Sequence, residues 1–155
     1  MKISTGIPSL RAVGLFAGLS VGAVAAPAWA GEISYTAAPY DSQGVQLNVA
    51  KIFHKSEKVW FRLIVINKTG RVLTIDKNQI QCQLPDGRVT TRAMGVFGKY
   101  AKPSSIAAGL SAELNIECLV GEVPQPVAVL LRQGFIVDGQ SLPLPDYQAS
   151  PGGPR

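Results

Sequence analysis

Residues 110–118 read Leu-Ser-Ala-Glu-Leu-Asn-Ile-Glu-Cys, and apolar and polar residues alternate over all nine positions. This alternation is typical of a β-strand with one buried face, because successive side chains of a strand point to opposite sides of the sheet. Residues 79–84 repeat the pattern, with Ile80, Cys82 and Leu84 on one face and three glutamines on the other. An α-helix would scatter these polar residues around its circumference, so we predict two half-buried strands.

Further strand candidates lie at Val45–Val49, Val59–Ile66, Val72–Ile75 and Val127–Leu131. The apolar residues Val45, Leu47 and Val49 alternate with polar ones. Residues 59–66 are almost continuously apolar, which is typical of a central strand. The inward set predicted there is Val59, Phe61, Leu63 and Val65. We also predict that Phe135–Val137 continues the strand at 127–131 past a bulge at Gly134.

Turn-forming sequences separate these strands: Asn67-Lys68-Thr69-Gly70, Pro85-Asp86-Gly87 and Asp138-Gly139. No segment after residue 30 has a helical period. Short strands divided by turns predict an all-β fold, a single antiparallel β-sandwich, in preference to a small barrel. We predict one domain over residues 31–145 and a flexible C-terminal tail over residues 146–155.

The first thirty residues are a different kind of segment. Lys2 and Arg11 are the only charges in it, Ala12–Ala26 is an apolar run, and Ala28-Trp29-Ala30 ends it. A basic start, a short apolar region and an Ala-x-Ala end are the features of a secretory signal peptide. The apolar run is shorter than the roughly twenty residues of a membrane span. We therefore predict a signal peptide over residues 1–30, no stable membrane anchor, and a periplasmic or secreted protein.

The charge balance gives little indication of a nucleic-acid partner. The chain has 15 basic and 10 acidic residues; loss of Lys2 and Arg11 leaves 13 basic residues and a net charge of +3. Nucleic-acid binding requires basic residues clustered on one face. We therefore expect no nucleic-acid partner.

Cys82 and Cys118 are the only cysteines, and both lie on the apolar faces of alternating strands. In an oxidising compartment a disulfide is the default state of such a pair. Two buried free thiols are the alternative, since buried cysteines behave as small apolar residues. The Cys-x-x-Cys spacing of redox-active pairs is absent.

Residues 59–139 resemble a broad group of secreted bacterial immunoglobulin-like domains. The resemblance rests on four features: the strand and Asn-x-Thr-Gly turn of Val59–Gly70, the Asp-Gly hairpin of Cys82–Arg92, the Gly-x-Ser lead-in to the strand of Gly109–Cys118, and Val123-Pro124. It implies an immunoglobulin-like β-sandwich outside the cytoplasm. It carries over no catalytic residue.

Candidate catalytic and metal-binding residues are few. His54 is the only histidine, and we predict that it is solvated at a strand end or in a loop. Glu113 and Glu117 share one strand face, but four residues span roughly 13 Å, which is too far for the carboxylate pair of a glycoside hydrolase. We predict no metal, no cofactor and no enzymatic activity; an enzyme using these carboxylates remains the alternative.

The most distinctive loop candidate is the segment from residue 88 to residue 102. Its predicted binding residues are Arg88, Arg92, Phe97, Lys99, Tyr100 and Lys102. Aromatic anchors among positive charges suit a protein partner or an acidic polymer. In the structural alternative, Phe97 covers one end of the sandwich and the lysines maintain solubility.

These observations predict an exported, non-enzymatic β-sandwich that acts as a protein-interaction or accessory module in the cell envelope. One alternative is a small-molecule or glycan binder in which Trp60, Phe97 or Tyr100 stacks on the ligand. Another is a secreted inhibitor that uses an exposed loop. A partner could also add a strand to an open sheet edge.

Overall fold

The computed structural model describes residues 31–90 and 104–152, which are almost entirely β-structure. The strands are β1 (Ile33–Ala37), β2 (Tyr40–Ser42), β3 (Val45–Lys55), β4 (Lys58–Asn67), β5 (Leu73–Ile75), β6 (Gln81–Gln83), β7 (Val89–Thr90), β8 (Ser104–Ile106), β9 (Ser111–Leu119), β10 (Val127–Leu130), β11 (Phe135–Val137), β12 (Gln140–Ser141) and β13 (Tyr147–Pro151). The helical structure in these residues is a single 3-10 turn, Lys77–Gln79. The predicted all-β class is confirmed.

The strands form two antiparallel sheets around a shared core. The larger sheet has the order β7-β6-β10-β13-β1-β3-β4-β9, with β2 attached to β3, and the smaller has the order β12-β11-β5-β8. Cys82 of β6 and Cys118 of β9 lie near opposite ends of the larger order, yet their Cα atoms are 5.7 Å apart and their sulfur atoms are at disulfide distance. The larger sheet therefore curls over itself.

The core is organised around β4, which pairs with β3 on one side and β9 on the other. The predicted inward residues of β4 are all buried: Val59, Phe61, Leu63 and Val65. On β9, alternation buries Leu114, Ile116 and Cys118 and leaves the intervening polar residues on the outer face. The period-two pattern thus identified the inner faces of both strands correctly.

A bulge in β3 changes which of its later residues point inward. Val49 and Lys51 stand opposite consecutive residues of β4, so Ala50 is an extra residue in this strand. The extra residue reverses the faces of all positions that follow it. Ile52 and His54 are therefore buried. Val49, which precedes the bulge and is predicted to point inward, is 44% exposed.

Phe135–Val137 does not continue β10, which corrects the predicted bulge at Gly134. The Gly134 N–H donates to the carbonyl of Leu131 at 2.9 Å, so the chain turns there. A Cβ atom on Gly134 would collide with the side chain of Ile80. After this turn, β11 pairs with β5 in the smaller sheet.

The predicted flexible tail contains an ordered strand. Residues 147–151 form β13, which pairs with β10 on one side and β1 on the other. Its inward residues Tyr147 and Ala149 are buried. The domain therefore extends beyond residue 145, because the larger sheet includes these residues.

Two strands begin later than predicted: β6 begins at Gln81 and β9 at Ser111. Gln79 belongs to the 3-10 turn, which is capped by the carboxylate of Asp76 accepting from the N–H of Asn78 at 3.0 Å. Leu110 precedes β9 in a turn with Gly109 at φ +76° and is 60% exposed, rather than pointing inward.

Candidate functional site

Five of the six predicted binding residues of segment 88–102 lie outside the described residues: Arg92, Phe97, Lys99, Tyr100 and Lys102. The predicted signal peptide, residues 1–30, also lies outside them. Arg88 is described and belongs to the hairpin between β6 and β7. Its backbone N–H donates to Asp86 Oδ1 at 3.0 Å and its Nε to Asp86 Oδ2 at 2.6 Å. The backbone hydrogen bond, followed by the guanidinium, lowers the pKa of the Asp86 carboxyl. Arg88 is thus placed to order its own turn.

His54 is buried, with 2% of its surface exposed, so the predicted solvated position is wrong. The bulge at Ala50 turns its side chain toward the interior. Its Nε2 lies 2.9 Å from the carbonyl oxygen of Gly121 and donates to it. The carbonyl of Glu57 accepts from the backbone N–H groups of Val120 and Gly121 at 2.8 and 3.1 Å. The histidine therefore helps to hold the segment after β9 against the β3–β4 hairpin.

The two carboxylates of β9 lie on its outer face, as the alternation predicts. Each faces a cation of the neighbouring strand: Glu113 Oε1 is 3.6 Å from Arg62 Nε, and Glu117 Oε2 is 3.4 Å from Lys58 Nζ. Asn115, between them, donates from Nδ2 to Glu113 at 2.8 Å. Both carboxylates are therefore parts of cross-strand ion pairs.

Asn67, at the end of β4, gives the Asn-x-Thr-Gly turn its structure. Its side chain is completely buried. Nδ2 donates to the carbonyls of Arg71 and Ile106 at 2.6 and 2.8 Å, while Oδ1 accepts from the N–H and hydroxyl of Thr69 at 2.9 and 2.7 Å. One carboxamide thus links the turn to β8, and the motif has a structural role.

The most distinctive exposed feature is an aromatic pair on the outer face of the larger sheet. Phe53 of β3 stands opposite Trp60 of β4. The two rings are parallel to within 4°, and their centroids are 6.3 Å apart. Both side chains are only half-buried. A stacked pair of this kind presents a rigid apolar surface to solvent.

Cations flank the aromatic pair. Lys51 Nζ lies 4.6 Å from the centroid of Phe53, and Lys58 Nζ lies 5.6 Å from that of Trp60, both within cation–π range. Lys51 also forms an ion pair with Glu32. We call the surface formed by Lys51, Phe53, Lys58, Trp60 and Arg62 the aromatic face.

Sequence reasoning singled out Trp60 as a possible stacking residue but missed Phe53. An uninterrupted β3 would place Phe53 on the same face as Val45 and Leu47, which are buried. The bulge at Ala50 moves it to the outer face, beside Trp60. The aromatic face therefore depends on a feature of strand register that alternation alone does not reveal.

Within residues 31–90 and 104–152, no group of three or more histidine, cysteine, aspartate or glutamate side chains is placed to hold a metal ion. In the same part of the chain, no helix has the length and apolar character needed to cross a membrane.

Comparison with known proteins gives a likeness in fold. No protein-family model matches the sequence, and no curated protein is significantly similar to it. Among solved structures, the chain is similar to the yjhA protein from Bacillus subtilis, with a TM-score of 0.52 and 5% sequence identity. The match covers 72% of this chain and 93% of that one. At this identity, the likeness concerns the fold alone.

Proposed function

We propose that this protein is an exported, non-enzymatic immunoglobulin-like β-sandwich that acts as an interaction or accessory module in the periplasm or outside the cell. It binds a protein partner of the cell envelope through the aromatic face. The observation that carries this proposal is the half-exposed, stacked pair of Phe53 and Trp60, flanked by Lys51 and Lys58.

The chemistry of the aromatic face suits a protein contact. Tryptophan and arginine are enriched among the residues that dominate binding energies, and aromatic residues are enriched in interface cores. Phe53 and Trp60 would form the apolar centre of the contact. The exposed ion pair Arg62–Glu113 and the partly buried pair Lys58–Glu117 lie beside them, where charges steer association and fix orientation.

Export and the immunoglobulin-like architecture are supported by separate observations. Residues 1–30 carry the pattern of a signal peptide. Cys82 and Cys118 lie at disulfide distance, which is compatible with an oxidising compartment. Two antiparallel sheets that share one core are compatible with a sandwich.

The test is capture of partners by the full-length chain, tagged at its C-terminus, expressed in its native host and cross-linked before extraction. The double variant F53A/W60A should reduce recovery of specific partners at least 10-fold, because it removes the apolar centre of the contact. V123A is the matched control, since Val123 is 69% exposed and is not part of the aromatic face.

Circular dichroism of each purified variant checks that the fold is retained. Equal recovery of partners by the folded F53A/W60A variant and the wild type would contradict the proposed contact. N-terminal sequencing of the captured protein should begin at Gly31; an intact residue 1 would contradict export with cleavage.

A further inference from the structure

A groove of about 340 Å³ crosses the outer face of β6, β10 and β13, on strands other than those of the aromatic face. Its volume lies at the small end of the range for ligand sites, roughly 300–1,000 Å³. That size suits a ligand of one or two ring systems.

The groove exists because a small residue lies between two long ones. Ala128 of β10 stands in register with Gln83 of β6 on one side and Gln148 of β13 on the other. Neighbouring strands lie about 4.8 Å apart, so the two glutamine backbones are roughly 10 Å apart. The small side chain of Ala128 thus forms the floor of the groove, and the carboxamides of Gln83 and Gln148 lie along its two sides.

The hairpin turn at Pro85–Gly87 forms one wall and is held by its own hydrogen bonds. The Leu84 N–H donates to the carbonyl of Arg88, and the Gly87 N–H donates to the carbonyl of Leu84, both at 2.9 Å. Gln83 Nε2 donates to the carbonyl of Gly87 at 3.3 Å. With the bonds between Arg88 and Asp86, these contacts fix the turn in one position.

The second wall, at Pro126, is held through the preceding residue. The Tyr35 hydroxyl donates to the carbonyl of Gln125 at 2.8 Å and accepts from its N–H at 3.1 Å. Gln125 Nε2 donates to the carbonyl of Val120 at 2.6 Å. Both walls are therefore fixed before any ligand arrives, which lowers the entropy lost on binding.

The lining determines the class of ligand. No charged side chain lines the groove among the residues described, so an ionic ligand would find no counter-charge there. Each glutamine amide offers a donor and an acceptor, while Ala128, Pro85 and Pro126 offer apolar contacts. A neutral ring with hydroxyl groups at its edges and C–H groups on its face fits this combination.

We propose that the groove binds a neutral saccharide. The carboxamides of Gln83 and Gln148 bond to hydroxyl groups on opposite edges of the sugar, and Ala128 and Pro126 contact its C–H surface. This site goes beyond the proposed protein contact and does not depend on it.

The test is an NMR titration of the full chain, labelled with ¹⁵N, against maltose, cellobiose and N,N′-diacetylchitobiose. At least one disaccharide should bind in a saturable manner and shift the amide signals of Gln83, Ala128 and Gln148, including the glutamine side-chain NH₂ groups. A128L should weaken this binding at least 10-fold, because the larger side chain fills the floor of the groove. A107L is the matched control, since Ala107 is exposed and does not line the groove.

Three results would overturn the proposal: no saturable binding of any of the three disaccharides, shifts confined to other residues, or unchanged binding by a folded A128L variant. A tetra-alanine peptide is titrated in parallel; a peptide that shifts these signals when the sugars do not would show that the ligand class is wrong. The F53A/W60A variant should bind the sugar as the wild type does, which separates this site from the aromatic face.

Discussion

Tyr35, Tyr40 and Tyr147 belong to the buried core, and their hydroxyl groups differ in their hydrogen-bond partners. The Tyr35 hydroxyl bonds twice to the backbone of Gln125, and the Tyr40 hydroxyl donates to the carbonyl of Pro145 at 2.8 Å. The Tyr147 hydroxyl is buried without a hydrogen-bond partner among the described residues. Burial raises the pKa of all three phenols, because it disfavours the charged phenolate.

Tyr147→Phe should increase the free energy of unfolding by about 1 kcal/mol, since it removes a buried polar atom that has no partner. The ring contacts with Tyr40 and Phe61 remain. Tyr35→Phe should have the opposite effect and lower stability by about 1–2 kcal/mol, because it leaves both backbone groups of Gln125 without the hydroxyl. Urea unfolding at pH 7 measures both changes; a destabilised Tyr147→Phe variant would contradict this account.

Tyr40 should make folding stability sensitive to alkaline pH. Burial, followed by the nearby carboxylate of Asp146, raises its pKa from 10 to about 12. The protonated phenol is therefore favoured in the folded state. The stability linked to this group is fully present below pH 10 and is lost as the pH rises through about 12.

Urea midpoints of the wild type and Tyr40→Phe from pH 8 to pH 12 test this linkage. The variant should lose less stability than the wild type over the upper part of this range, although it is less stable at pH 8 because it lacks the bond to Pro145. Parallel pH profiles would contradict the role assigned to Tyr40.

At the scale of elements, the turn between β4 and β5 depends on one carboxamide. Asn67→Asp should lower the free energy of unfolding by about 2–3 kcal/mol. A carboxylate oxygen would replace the Nδ2 donor and would face the carbonyl oxygens of Arg71 and Ile106, which are also acceptors. Asn48→Asp is the matched control, since Asn48 is exposed on β3 and accepts from Gln46. Thermal unfolding compares the two; similar losses would show that Asn67 has no special role.

Alternation identified the strands that have a polar face and an apolar face, and β4 and β9 are the clearest examples. It missed β13, because Tyr147 and Ala149 are its only apolar inward residues and prolines stand at 145 and 151. The bulge at Ala50 and the turn at Gly134 could not be predicted, since both depend on which strand lies opposite. The positions of His54 and Phe53 follow from the bulge. Of the two rings of the aromatic face, the sequence therefore indicated Trp60 and not Phe53.

At the scale of the whole molecule, Cys82 and Cys118 join strands from opposite parts of the larger sheet. Replacing both by alanine should lower the free energy of unfolding by roughly 3–4 kcal/mol. This is the effect expected when a cross-link that closes a loop of 36 residues no longer restricts the unfolded chain. Urea unfolding of the double variant and of the reduced wild type measures the loss. Non-reducing peptide mapping identifies the bond; two free thiols in the purified protein would contradict it.

The position of β13 has a consequence for assembly of the domain. It is the latest strand of the larger sheet in chain order, yet it stands in the interior of that sheet, hydrogen-bonded to β10 and β1. Without β13, the partial sheets β7-β6-β10 and β1-β3-β4-β9 would each have an unpaired edge. A chain stopped before Tyr147 should associate through those edges and elute as oligomers in size-exclusion chromatography. The C-terminal strand thus covers two sheet edges that would otherwise be open to association with other chains.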